Sequence, residues 1–260
     1  MAQANSPQTA PRLLDKDGLG SLIATLQDKG YQVVGPRLGD DAVVYDLIDT
    51  VADLPAGWGA EQAGGHYRLR RRDDGALFGY GLAPQGWKRQ LYPPRQKLFA
   101  ARRDETGFAV EPPPPPAPPL ALIGARACEL AAIARQAKVF GDRDFADPGY
   151  QRRLAEAFIV AVQCGEAEAT CFCASMGTGP EVKAGFDLKL VEVLVQDHPA
   201  YVAAAGTPRG ARLLEGLKTE QAGAAEIQAA EQALANAGRQ GRKLDAAAAR
   251  ALSANPEHAR

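Results

Sequence analysis

This 260-residue sequence is poor in the residues that mark most reaction chemistry: it has four cysteines, three histidines, two methionines and two tryptophans. The histidines, His66, His198 and His258, lie far apart and show no metal-ligand spacing, so they read as ordinary surface histidines. There is no serine-histidine-acid set, no Walker loop and no Gly-x-Gly-x-x-Gly at a strand-to-helix junction, so no residue is marked as a substrate-activating acid or base. No apolar run approaches the ~20 residues of a membrane-spanning helix, which argues against direct membrane insertion. A formal net charge of -1 lacks the basic surplus that nucleic-acid binding requires. No signal-peptide pattern is evident, and a disulfide between cysteines as close as Cys171 and Cys173 would close a strained ring. With 46% hydrophobic and 23% charged residues, the chain suits a globular, cytoplasmic protein with one large core or two modest ones.

The few cysteines are grouped. Cys128, Cys164, Cys171 and Cys173 fall in one window that reads as a β-α-β unit. Leu120-Ala121-Leu122-Ile123-Gly124 suits a buried strand, and the sequence from Ala127 to Gln136 switches to helical spacing, placing Cys128 at a strand-to-helix turn. A second helix around Tyr150–Glu156 leads into the apolar run Phe158–Val162, after which comes Cys164. Strands joined through helical crossovers are parallel, so both cysteines are expected at one carboxyl edge of the sheet, where open α/β sheets bind ligands. The following loop, Thr170–Pro180, carries Cys171 and Cys173 and is rich in glycine and small residues. Its Ser175, Gly177 and Gly179 are the candidate cofactor contacts, because free amides there can hydrogen-bond cluster sulfides.

Four loop cysteines have the number that an iron-sulfur cube or a tetrahedral zinc needs, and a [4Fe-4S] cluster held by Cys128, Cys164, Cys171 and Cys173 is the reading preferred here. Zinc is the alternative, although the only close pair is Cys-x-Cys and not the Cys-x-x-Cys of zinc knuckles. Inert buried thiols with no metal are another, and with zinc or no metal the chain would be a scaffold that docks a redox module to partner subunits. A thiolate nucleophile at Cys128, activated by the helix start, is a further one.

The segment Gly124-Ala125-Arg126-Ala127-Cys128-Glu129-Leu130 resembles a Gly-x-Arg-Pro-Cys-Asp-Leu motif, and Cys171-Phe172-Cys173-Ala174-Ser175-Met176-Gly177-Thr178-Gly179-Pro180 is similar to a Cys-Phe-Cys-x-Ser-Met-Gly-Thr-Gly-Pro motif. Both belong to the 4Fe-4S dicluster proteins that include sulfhydrogenase beta subunits and the A subunit of anaerobic sulfite reductase. Asp147, Tyr150, Arg152 and Arg153, the phrase Gly185-Phe186-Asp187-Leu188, and Trp87-Lys88 with Leu91-Tyr92-Pro93-Pro94 look like the same family. The resemblance implies an electron-transfer subunit of a multi-subunit oxidoreductase. Its partners would be an NAD(P)H- or ferredoxin-linked subunit and a catalytic subunit, and it would do no bond chemistry of its own. Two departures stand out. Ala127-Cys128-Glu129 replaces Pro-Cys-Asp, keeping the thiol and lengthening the carboxylate by one methylene. The two Cys-x-x-Cys-x-x-Cys-x-x-x-Cys-Pro runs of the family's ferredoxin-like module are absent, so the expectation is a chain cut before that module, with Asn255–Arg260 as its lead-in.

The fold expected is α/β on a mixed sheet with flanking helices, with an α+β N-terminal half and a β-α-β cysteine-bearing half. The boundaries are a mainly β region over 1–111, a proline-rich connector over 112–119, a cysteine-bearing region over 120–210 and a helical extension over 211–260. Met1–Pro11 reads as disordered. Leu19, Leu22, Ile23 and Leu26 mark a helix stopping at Gly30, and strands follow at Tyr31–Pro36, Ala42–Ile48, His66–Leu69 and Ala76–Tyr80. The proline tract suits a stiff polyproline II connector better than a ligand for a proline-binding domain. Helices are expected over 222–237 and 244–252, either resting on their own domain or bridging to another module. Arg68, Arg70, Arg71, Arg72, Lys88, Arg89, Arg95, Lys97, Arg102 and Arg103 form a basic run that is either a solvated surface or a docking face for an acidic partner or anionic cofactor.

Overall fold

Alternate residues of the central strands enter different cores. Val33, Ile123, Val160 and Leu190 join one apolar cluster, while Val34, Leu122, Ile159 and Ala161 join another. This period of two is what a strand buried on both faces requires. The computed structural model describes residues 10–104, 107–111, 117–141, 144–196 and 198–253. In chain order its elements are β1 (Arg12–Leu14), α1 (Lys16–Asp28), β2 (Gln32–Leu38), β3 (Val43–Leu47), β4 (Trp58–Ala63), β5 (His66–Arg71), α2 (Lys88–Leu91), β6 (Ala100–Asp104) and β7 (Gly107–Glu111). There follow β8 (Leu120–Ala125), α3 (Ala127–Gly141), α4 (Pro148–Glu156), β9 (Phe158–Val162), β10 (Leu188–Val195), β11 (His198–Ala205), α5 (Pro208–Glu215), β12 (Glu220–Gln221), α6 (Ala224–Gly238) and α7 (Ala246–Ser253).

Eight strands form one mixed sheet in the order β12-β1-β11-β10-β9-β8-β2-β3. Its centre, β10-β9-β8-β2, is parallel, and antiparallel strands complete both sides. α1 and α5 cover one face; α3 and α4 cover part of the other, and α6 covers the rest over Val191, Val193 and Val202. The α/β class and the mixed sheet with flanking helices are as predicted. No helix among the described residues is long and apolar enough to cross a membrane.

Local chemistry explains the element ends. Asp15 caps α1 by accepting the Gly18 amide at 2.7 Å, and Leu19, Leu22, Ile23 and Leu26 form its buried stripe. Gly30, at φ +84°, lets the chain leave the helix in the left-handed region. The two regions drawn on either side of the proline tract share this sheet, because β2 and β3 pair alongside β8. Residues 112–116 of the tract lie outside the described residues, and so do 1–9 and 254–260, which include His258 and the Asn255–Arg260 lead-in. Pro11, placed in a disordered leader by sequence, instead offers its carbonyl to the Ala222 amide at 3.1 Å. The helix expected over 222–237 is α6, and it rests on its own sheet.

Ala76–Tyr80 is not a strand. It is buried but irregular, and side chains satisfy its backbone: the Leu77 and Phe78 amides donate to the Glu192 carboxylate at 2.7 and 2.9 Å, and the Phe78 and Tyr80 carbonyls accept from the Arg126 guanidinium at 2.8 and 3.0 Å. With its polar groups met this way, the segment needs no ladder.

Candidate metal centre

β8 and β9 are parallel neighbours, with Ala121 opposite Phe158 and Ile123 opposite Val160, so the chain leaves both strands at the same sheet edge. Past β8, Gly124 sits at φ +104° in a register irregularity; a Cβ there would lie 3.2 Å from the Tyr80 hydroxyl and 3.4 Å from Pro36 Cδ. The Glu129 carboxylate accepts the Arg126 amide at 2.9 Å, closing the first turn of α3 as the acidic half of a capping box does. The same carboxylate also accepts from the Tyr45 hydroxyl at 3.1 Å.

Past β9, Gln163 closes the base of the cysteine loop. Its amide nitrogen donates to the Pro180 carbonyl at 2.7 Å and its oxygen accepts the Val182 amide at 3.0 Å. Within the loop, Cys171 N–H donates to Glu168 O at 2.9 Å and Thr178 N–H to Cys173 O at 3.0 Å. The loop is therefore held from its root and by its own turns.

All four sequence-predicted cysteines come into one neighbourhood, each half-buried. Cys128, Cys171 and Cys173 line a cavity of about 430 Å³ together with Leu82, Phe172 and Met176. Cys164 belongs to the same electrostatic group: the Cys128 thiol feels Cys164, Cys173 and Cys171, and Cys171 feels Cys164 and Cys173. Burial pushes Cys128 up to about 12, with Cys164 and Glu129 adding to it. Burial also raises Cys164 and Cys171, against the opposing pull of Arg126 on Cys164. The thiolate nucleophile considered at Cys128 is thus disfavoured, because burial and like charge overcome the help of the helix start.

Among the described residues there is no group of three or more His, Cys, Asp or Glu that could hold a metal ion. A tetrahedral zinc needs its thiolates at about 2.3 Å from one point. The thiols share a neighbourhood without closing on such a point, so they do not fit a single ion as they stand. A cluster, whose four iron corners each take one thiolate, asks for the same donors set further apart. The kind and number of donors fit that group.

The loop residues named from sequence fall in different roles. Ser175 donates to Phe172 O at 2.8 Å and accepts the Leu244 amide at 3.0 Å, so its hydroxyl ties the loop to the C-terminal extension. Gly177, at φ +64°, donates to Ala174 O in a turn. Gly179 lies against the thiols: a Cβ there would stand 2.9 Å from Cys173 Sγ and 3.3 Å from Ala127 Cβ. The side chain that donates to a cysteine sulfur was not singled out by sequence. Gln240 Nε2 reaches Cys173 Sγ at 3.1 Å while its Oε1 accepts the Ala174 amide at 3.1 Å.

Part of the basic run is structural. Arg72 pairs with Asp74, and with Glu166 of the cysteine loop at 3.0 Å, and donates to Gly79 O at 3.2 Å. Arg71 stacks over the Trp58 ring at 3.9 Å.

Comparison with protein-family models, curated proteins and solved structures finds no match for this chain.

Proposed function

We propose that this protein is an electron-transfer subunit that holds a [4Fe-4S] cluster through Cys128, Cys164, Cys171 and Cys173. The observation that carries this reading is the gathering of all the cysteines of the chain, from the turns after β8 and β9 and the following loop, at one edge of the parallel centre of the sheet. Scattered cysteines serve as small buried apolar residues and have no reason to converge. Bound there, such a cluster supplies uptake and release of one electron at a time.

The residues around it have separable tasks. The four thiols hold the group. Gly179, lacking a Cβ, lets the loop close against Cys173, and Gln240 places an N–H on the Cys173 sulfur, the kind of contact that tunes a cluster's potential. Gln163 fixes the loop ends so that Cys164 and Cys173 keep their relation to α3. The motif resemblance supports placing the subunit in a sulfhydrogenase- or sulfite-reductase-like complex in the cytoplasm, between an NAD(P)H- or ferredoxin-linked subunit and a catalytic one.

The test is Cys171→Ser. The variant is expected to lose most of the iron found in anaerobically purified wild-type protein; unchanged iron content and visible absorbance would overturn the assignment.

A further inference from the structure

Arg126 is the one fully buried cation among the described residues, at 1% exposure. Its guanidinium is satisfied almost entirely by carbonyls. Nη1 donates to Val162 O at 3.3 Å and Gln163 O at 3.2 Å, and Nη2 to Phe78 O at 2.8 Å and Tyr80 O at 3.0 Å. The Tyr80 ring lies 4.9 Å from Cζ, and Nε has no partner. Among the described residues no carboxylate lies within ion-pair distance of it.

Carbonyl dipoles meet hydrogen-bonding needs but leave the charge uncancelled, and a buried cation without an anion is costly. Two carboxylates of the surrounding segments are committed elsewhere. Glu129 accepts Arg126's own backbone N–H and the Tyr45 hydroxyl. Glu192 takes the Leu77 and Phe78 amides and is pushed toward neutrality by burial. Arg126 itself stands two residues before Cys128, and the Gln163 carbonyl that it holds belongs to the residue before Cys164. The guanidinium therefore leans on the cysteine pocket for its counter-ion.

We infer that Arg126 is the fixed countercharge of the cysteine site, a positioning residue pinned beside Cys164 by four carbonyls and neutralised by the anionic, thiolate-held group in the pocket. This rests on the cluster reading above. Four thiolates outweigh the positive charge of a cubane core, so the assembly is anionic, and becomes more so on reduction. The step concerned is the uptake of one electron from a low-potential donor, with no bond made or broken and no proton moved, since arginine stays charged throughout. A fixed positive charge favours the reduced state and raises the potential.

The experiment is a mediated dithionite titration of anaerobically purified wild-type protein, Arg126→Lys and Arg126→Gln, followed by visible absorbance, with iron content and thermal melting measured alongside. The glutamine variant is expected at a more negative midpoint potential, with the lysine variant near wild type although it melts earlier. Equal potentials in all three would overturn the countercharge role and leave the cluster standing. Wild-type protein without iron after reconstitution would overturn both. Should the glutamine variant fail to accumulate, the lysine variant decides: an unchanged potential with a lower melting temperature supports the role, and a clear negative shift removes it.

Discussion

Strand β9 ends in two buried polar junctions, and they are compensated differently. At its start stands Asp187, 2% exposed. Its Oδ1 accepts from Thr207 Oγ1 and Arg209 Nε, both at 2.6 Å, and its Oδ2 from the Ile159 amide at 2.9 Å and Arg209 Nη2 at 2.7 Å. Gly210 packs so closely that an added Cβ would fall 1.9 Å from the Asp187 carbonyl oxygen. Charge, hydrogen bonds and packing all close there. At the other end Arg126 closes its hydrogen bonds through Val162 and Gln163 but finds no carboxylate. A charge that serves only the fold can be cancelled within the fold, as at Asp187; a charge left uncancelled beside four thiols points to something the chain binds.

The largest expected effect breaks the closed end. Asp187→Ala leaves the Thr207 hydroxyl and the Ile159 amide without this acceptor and strips the partly exposed Arg209 guanidinium of its carboxylate, leaving it the Ala157 carbonyl; each buried group left unpaired costs about 1–3 kcal/mol. Urea unfolding should show that loss, while the protein that remains folded keeps the wild-type iron per chain. A smaller effect lies near the open end, at Glu192, which holds the Leu77 and Phe78 amides. Burial raises its carboxyl above the ordinary value of 4.5, against the Leu77 and Phe78 amides that lower it. An acid with a raised folded-state pKa contributes stability that is fully present below about 4.5 and is lost as the pH rises through the raised value. Glu192→Gln should therefore flatten the fall in unfolding free energy above that pH, a difference that denaturation series at several pH values would reveal. The smallest effect sharpens the open end: Gln240→Ala removes an N–H from the Cys173 sulfur and should move the potential to a slightly more negative value, with stability changed by about 1 kcal/mol or less.

The same contrast explains what could be read from sequence. Leu120–Gly124 and Phe158–Val162 were legible as strands because their apolar runs and following turns are local signals, and the parallel pairing that brings Cys128 and Cys164 to one edge follows from the helical crossover. Ala76–Tyr80 carried the same local apolar signal and is no strand, because the partners of its backbone are Glu192 and Arg126, remote in sequence. Gln240 escaped the sequence reading for a similar reason: nothing near Cys173 in the chain announces that a residue beyond α6 returns to meet its sulfur. Arg126 was visible as a motif letter, but its missing counter-ion is a property of burial. The Cys128 pKa went against the helix-start rule because desolvation, which sequence does not display, outweighs it.

The most direct measurement is iron and acid-labile sulfide per chain, with a visible spectrum, on protein purified without oxygen. About four of each, with absorbance that bleaches on reduction, is the predicted result for a cubane held by four cysteines. Colourless, iron-free protein that also refuses reconstitution would contradict the electron-transfer assignment and leave the convergence of the four thiols without a metal to explain it.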